Sequence, residues 1–170
     1  WDLIYCELYA GGKYDNNNGD SAYEFSLGLN GLGACATQYS SEFMDVYSYD
    51  GTNESKITFK KGNVASELTV RPLEKKEIRT GTFVHWRPDL EVFTDINIPA
   101  DYYRDVLKRQ AVVNKGVTFK FRNQVGKKFE EEEYCYNDGI RQYIEEMVGD
   151  NAFTMPVYWE TERRGRDAEN

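Results

Sequence analysis

Three glycines within six residues, Gly28-Leu29-Asn30-Gly31-Leu32-Gly33, run directly into the small and apolar stretch 34–39. Glycine reaches backbone conformations closed to other residues, and small apolar residues straight after it suit a helix that starts on the glycines. This corner divides a turn-rich beginning from a strand-rich continuation. Upstream, residues 10–26 are dense in Gly, Asn, Asp and Ser, which is loop chemistry with little to bury. Downstream, the strand-like runs 42–49 and 55–61 are joined by Asp50-Gly51-Thr52-Asn53, a hairpin signal. Residues 64–70 read as one further strand ending at Arg71-Pro72, and 80–86, alternating and β-branched, as another.

From Asp101 the apolar positions Tyr103, Val106, Leu107 and Val113 recur at helical spacing, and Asn114-Lys115-Gly116 supplies the stop. Residues 117–121 and 129–136 read as strands about a turn at 123–127. Asp138 is placed to cap a helix over 139–148, and Pro156-Val157-Tyr158-Trp159 begins a last strand. The apolar run 1–9 is too short for its period to separate helix from strand. The order of elements suits an α+β sandwich, with helices on one face of a sheet.

Length and composition bound the rest. A chain of 170 residues supports one ordinary core. Its net charge of −8 argues against a surface that binds nucleic acid by counterion release on its own account. Three cysteines, Cys6, Cys35 and Cys135, are an odd number without close spacing, which suggests neither a disulfide framework nor a zinc site and fits a reduced, cytoplasmic setting. No run approaches the ~20 apolar residues of a membrane helix. The start at Trp1, within an apolar run, reads as cut or processed.

Few residues carry chemistry. The glycine corner is either a plain turn or a phosphate cradle, since backbone N–H groups at a helix start can approach an anion closely. It is neither the dinucleotide fingerprint nor a Walker loop. Lys13 could place a cation on a phosphate from the loop or be merely solvated, and Tyr23 could close over a base or pack on the domain. His85 lacks a nucleophile signature nearby and reads as structural. The acidic run 130–133 reads as a solvated edge, and the charged stretch 160–170 as a solvated end.

Five segments recur together, in this order, in the GHKL ATPase domain of the B-type subunits of bacterial type II topoisomerases, gyrase and topoisomerase IV. They are Ala10-Gly11-Gly12-Lys13-Tyr14-Asp15, Gly28-Leu29-Asn30-Gly31-Leu32-Gly33-Ala34, the run Thr80-Gly81-Thr82-Phe83-Val84-His85-Trp86-Arg87-Pro88-Asp89, then Asn114-Lys115-Gly116-Val117 and Tyr136-Asn137-Asp138-Gly139-Ile140. The chain resembles that family over nearly its whole length. The resemblance implies a partial GHKL (Bergerat) sandwich, a mixed sheet with helices on one face, over residues 1–137, with an ATP lid at about 10–27. Residues 138–170 would begin a transducer domain.

The resemblance also assigns roles. Main-chain amides from Gly28, Leu29, Asn30, Gly31, Leu32 and Gly33 would meet the β- and γ-phosphates of ATP, Lys13 would reach toward phosphate, and Tyr23 would contact the nucleotide from the lid. Thr82 would join the hydrogen-bond network at the adenine. The family's general-base glutamate, its Mg²⁺-binding asparagine and its adenine-recognising aspartate lie upstream of Trp1, so no catalytic residue or metal ligand is expected here. Partners implied for the parent protein are the A-type subunit, DNA and a second B-type subunit, with no membrane association and no autonomous DNA binding by this stretch. The family usually has His at Asn30, Gly at Leu27 and Lys at Glu24, and Glu24 sets negative charge near a polyanion. The 170 residues alone are therefore expected neither to hydrolyse ATP nor to bind it tightly. The rival readings are a truncated non-catalytic paralogue and another GHKL branch, such as a mismatch-repair or chaperone ATPase.

Overall fold

The structure, a computed structural model, describes residues 1–10, 31–159 and 161. The chain forms two compact units, Trp1–Ile96 and Asn97–Asn170. Residues 11–30, with nearly all of the lid stretch and with Lys13, Tyr23, Gly28, Leu29 and Asn30, and the charged end, Thr161 apart, lie outside the described residues.

In the first unit a single helical turn, α1 (Asp2–Tyr5), and a short helix, α2 (Gly33–Tyr39), precede a five-stranded sheet. Its strands are β1 (Ser41–Asp50), β2 (Asn53–Lys60), β3 (Asn63–Val64), β4 (Thr69–Pro72) and β5 (Thr80–Pro88). They run in the order β3-β2-β1-β5, with β4 also paired to β2. All pairings are antiparallel, so any parallel part of the mixed sheet lies outside the described strands. The β1–β2 turn forms as the sequence predicts: the Asp50 carboxylate accepts the N–H groups of Thr52 at 2.7 Å and Asn53 at 2.6 Å, and Gly51 takes a φ of +90°. Those N–H groups also hold the Asp50 carboxyl below its ordinary range, hence ionised at neutral pH.

Pleating sends Met44 and Val46 of β1, and their partners Phe59 and Ile57 of β2, to one face. All four are buried, and Tyr5 of α1 covers them with its ring 5.6 Å from that of Phe59. This is the core of the unit.

The stretch 64–70 is not one strand. After β3 the chain leaves the ladder: the N–H groups of Ala65 and Ser66 both point to the Thr58 carbonyl, and the Ser66 hydroxyl oxygen accepts the Thr58 N–H at 3.0 Å. A side chain thus takes the place of a ladder partner, and pairing resumes only at Thr69 opposite Lys56.

The β2–β3 hairpin turns on Lys61 and Gly62, both at positive φ (49° and 80°), the form that a two-residue connection favours. A Cβ on Gly62 would stand 2.9 Å from the Tyr39 ring. Gly62→Ala is expected to lower stability by about 1–3 kcal/mol, combining left-handed strain with the ring contact. Chemical denaturation would show it as a lower midpoint; an unchanged midpoint would rule out this packing of Tyr39.

The second unit comprises α3 (Ala100–Val113), the hairpin β6 (Phe119–Val125) and β7 (Lys128–Tyr134), and α4 (Ile140–Val148). Ala111, Val112 and Tyr136 are buried, with Phe119, Tyr134 and Tyr143 packed on them. The acidic run on β7 faces cations on both sides of the hairpin. Glu131 pairs with Arg122 and Glu133 with Lys120, while Glu130 and Glu132 meet Arg104 of α3. Asp138 does not cap α4. The cap is Gly139 at φ 58°, whose Cβ position lies 3.3 Å from the Val112 carbonyl oxygen, and the Asp138 side chain turns instead to Lys115. Nor do residues 156–159 form a strand: no strand lies beside them among the described residues, and Val157 and Trp159 are 94% and 81% exposed. No helix among the described residues is long and apolar enough to cross a membrane.

Candidate functional site

The face of the first sheet that holds the core continues past α1. Because α1 is one turn long, it covers Met44 and Val46 and stops. The next positions on that face are polar: Thr82 of β5 stands opposite Ser48 of β1, and Ser48 opposite Ser55 of β2. Directly paired residues project to the same side of a sheet, so three hydroxyl groups form a row across three strands.

Above that row is a hollow of about 320 Å³ lined by Trp1, Ile4, Tyr5, Val46, Ser48, Asp50, Ser55 and Thr82. Trp1 and Tyr5 stack with centroids 6.1 Å apart and form one wall. Ile4, 57% exposed, leaves its side chain to solvent or a ligand. Burial pushes the Tyr5 hydroxyl up from its ordinary pKa, keeping it a neutral donor. Asp50 is ionised but committed to its turn. Apolar or aromatic side chains (Trp1, Ile4, Tyr5, Val46) and polar ones (Ser48, Asp50, Ser55, Thr82) share the lining equally, a more polar balance than the usual small-molecule pocket, and the volume is at the lower end of the common range.

Of the residues singled out by sequence, Thr82 lines this hollow. Gly31, Leu32 and Gly33 form the entry to α2: Gly31 takes φ 61°, Leu32 is the N-cap, and the Leu32 carbonyl accepts the Ala36 N–H at 2.8 Å. Helix geometry leaves the amides of the first turn without an intrahelical acceptor. His85 lies on the opposite sheet face, edge-on to Phe43 and with Nδ1 3.8 Å from an Asp45 oxygen. Cys6, Cys35 and Cys135 are free thiols. Ser48 and Ser55 carry no signal in the sequence, because only their register with Thr82 makes them neighbours. Among the described residues no cluster of three or more His, Cys, Asp or Glu side chains could hold a metal ion.

No family model matches the chain. It is 34% identical over 147 residues to the B-type subunit of DNA topoisomerase 4 from Salmonella typhimurium, an overlap covering 86% of this chain and 22% of the relative. It is 34% identical over 151 residues to the B-type subunit of DNA gyrase from Synechocystis, covering 88% of this chain and 13% of the relative. The chain thus spans about a fifth or less of the length of these curated relatives. Among solved structures it resembles the 43K ATPase domain of Thermus thermophilus gyrase B, in complex with an aminocoumarin, with TM-score 0.60, 25% identity and coverage of 71% of this chain and 32% of the other. It also shares the fold of the ATP-binding domain of Francisella tularensis topoisomerase IV, in complex with a small-molecule inhibitor, with TM-score 0.63, 21% identity and coverage of 79% and 36%. With this sequence identity over most of its length and with the α+β fold of GHKL ATPase domains, the chain belongs to the family of type II DNA topoisomerase B-type subunits, those of gyrase and topoisomerase IV.

Proposed function

We propose that this chain is part of the ATP-binding region of an ATP-dependent type II DNA topoisomerase, and that the hollow over Thr82 receives the adenine. The observation that carries the reading is the row Thr82, Ser48 and Ser55 at the base of a pocket walled by Trp1, Ile4 and Tyr5. A planar, mainly apolar base with polar edges needs both kinds of surface. Thr82 would exchange hydrogen bonds at the base. Main-chain amides of residues 28–33 would bind the β- and γ-phosphates, with Lys13 and Tyr23 closing from the lid.

Residues 1–137 would be the later half of the ATP-binding domain and 138–170 the beginning of a transducer. Mg²⁺ accompanies ATP in such chemistry and neutralises phosphate charge. Its ligand and the general base are expected upstream of Trp1, and no step is assigned to residues of this chain for either. In the intact enzyme nucleotide binding would order the lid and join two B-type subunits. Hydrolysis would then be coupled through the transducer to DNA strand passage with the A-type subunit.

The test is calorimetric titration of ATP into the 170-residue chain alone and into its mixture with a polypeptide supplying the upstream half. The chain alone should show no tight binding and no turnover, and the mixture should show both. Turnover by the chain alone would refute the assignment of the base to upstream sequence. A mixture that stays inert would favour a truncated, non-catalytic paralogue.

A further inference from the structure

The sheet face opposite Thr82 carries a second hollow, of about 330 Å³, lined by Tyr47, Tyr49, Arg79 and Phe83. Tyr47 and Phe83 are direct partners across β1 and β5, with rings 5.8 Å apart, and Phe83 is 54% exposed. Two cations border the rings: the Arg79 guanidinium lies 3.8 Å from the Tyr49 centroid and the Lys56 ammonium 5.0 Å from that of Tyr47. Neither is held in an ion pair with a described residue. The acids of this face are engaged. Asp45 accepts the Thr58 hydroxyl at 2.7 Å, and Glu54 is bound by Arg71 at 2.8 and 3.1 Å. Exposed rings and two cations that no described residue holds in an ion pair therefore share one concavity, with Glu54 near both cations and Asp45 near Lys56, on a chain whose net charge is −8.

We propose that this concavity is a second small-molecule site, selective for a planar aromatic anion. The ring would lie against Tyr47 and Phe83, and Arg79 and Lys56 would meet its carboxylate or phosphate. Arg79 suits the task because its planar fork can stack and bind an anion in a fixed geometry. A neutral ring would forgo the cations, and a non-aromatic anion would forgo the stacking, so selectivity requires both features in one molecule.

The test uses the full ¹⁵N-labelled chain titrated with naphthalene-2-carboxylate, its neutral carboxamide, and cyclohexanecarboxylate. The aromatic carboxylate should give saturable amide shifts centred on Tyr47, Tyr49, Arg79 and Phe83, with affinity about tenfold or more above either control. Combining Lys56→Gln with Arg79→Gln should remove about tenfold of that affinity while leaving the melting temperature nearly in place, because Arg79 is exposed and Lys56 is only partly buried. Equal affinity for the carboxamide, shifts centred on Ser48, Ser55 and Thr82, or no shifts at millimolar ligand would each overturn the proposal.

Discussion

Phe59→Ala is expected to cost the first unit about 3–5 kcal/mol, the range for emptying a fully buried aromatic position. Phe59 is 1% exposed, faces Met44 across the β1–β2 hairpin and carries the Tyr5 ring on its open side. α1 has a single turn, too short to persist on helix propensity, so its position depends on packing against this cluster. Removing the ring withdraws the surface on which Tyr5 rests, and Trp1 and Ile4 move with it. The loss is a large fraction of the 5–15 kcal/mol that ordinarily separates folded from unfolded states. Urea unfolding followed by tryptophan fluorescence would measure it. The comparison variant is Phe83→Ala on the outer face, where a 54% exposed ring should contribute well under half as much. Equal midpoints for the two variants would show that the core does not lie where Phe59 places it.

That contrast between Phe59 and Phe83 also marks what the sequence could reveal. Alternation in 42–49 and 55–61, with the turn chemistry of Asp50-Gly51 between them, specifies a hairpin through local forces, and the hairpin forms. The helices after the glycine corner, after Asp101 and after Gly139 follow for the same reason. The break at 65–68 depends on a hydroxyl reaching Thr58 across the sheet, which no local pattern encodes. Asp138 had suitable chemistry for a cap, but close approach of the chain to the Val112 carbonyl placed glycine there instead. Of the residues lining the inner hollow, Thr82 was singled out through the family resemblance. Ser48 and Ser55 were not, since a one-residue change of register would send them to the other face. The outer hollow is likewise a product of register, which brings Tyr47 beside Phe83.

Thr82→Val is the most direct probe of the inner hollow, and it is expected to weaken ATP binding by about 5- to 150-fold in the mixture of this chain with the upstream half. Valine keeps the β-branched shape and the strand preference of threonine, so β5 and its pairing with β1 should be undisturbed. Only the hydroxyl is lost. If ATP uses it, a polar atom of the base is left facing a methyl group in a hollow lined by Trp1, Ile4 and Tyr5, which the bound nucleotide itself would close to water. Leaving such a group unsatisfied costs about 1–3 kcal/mol, which is the stated range of affinity. Ser48→Ala, one strand away in the same row, separates a network from a single contact. If Thr82 acts through Ser48, the double variant should lose less than the product of the two single losses, because the two hydroxyls serve one hydrogen-bond chain. If the losses multiply, each hydroxyl meets the ligand independently. Unchanged affinity in Thr82→Val, with folding intact, would place the adenine elsewhere, because the hollow would then be contributing shape without the polar recognition that the row of hydroxyls is positioned to give.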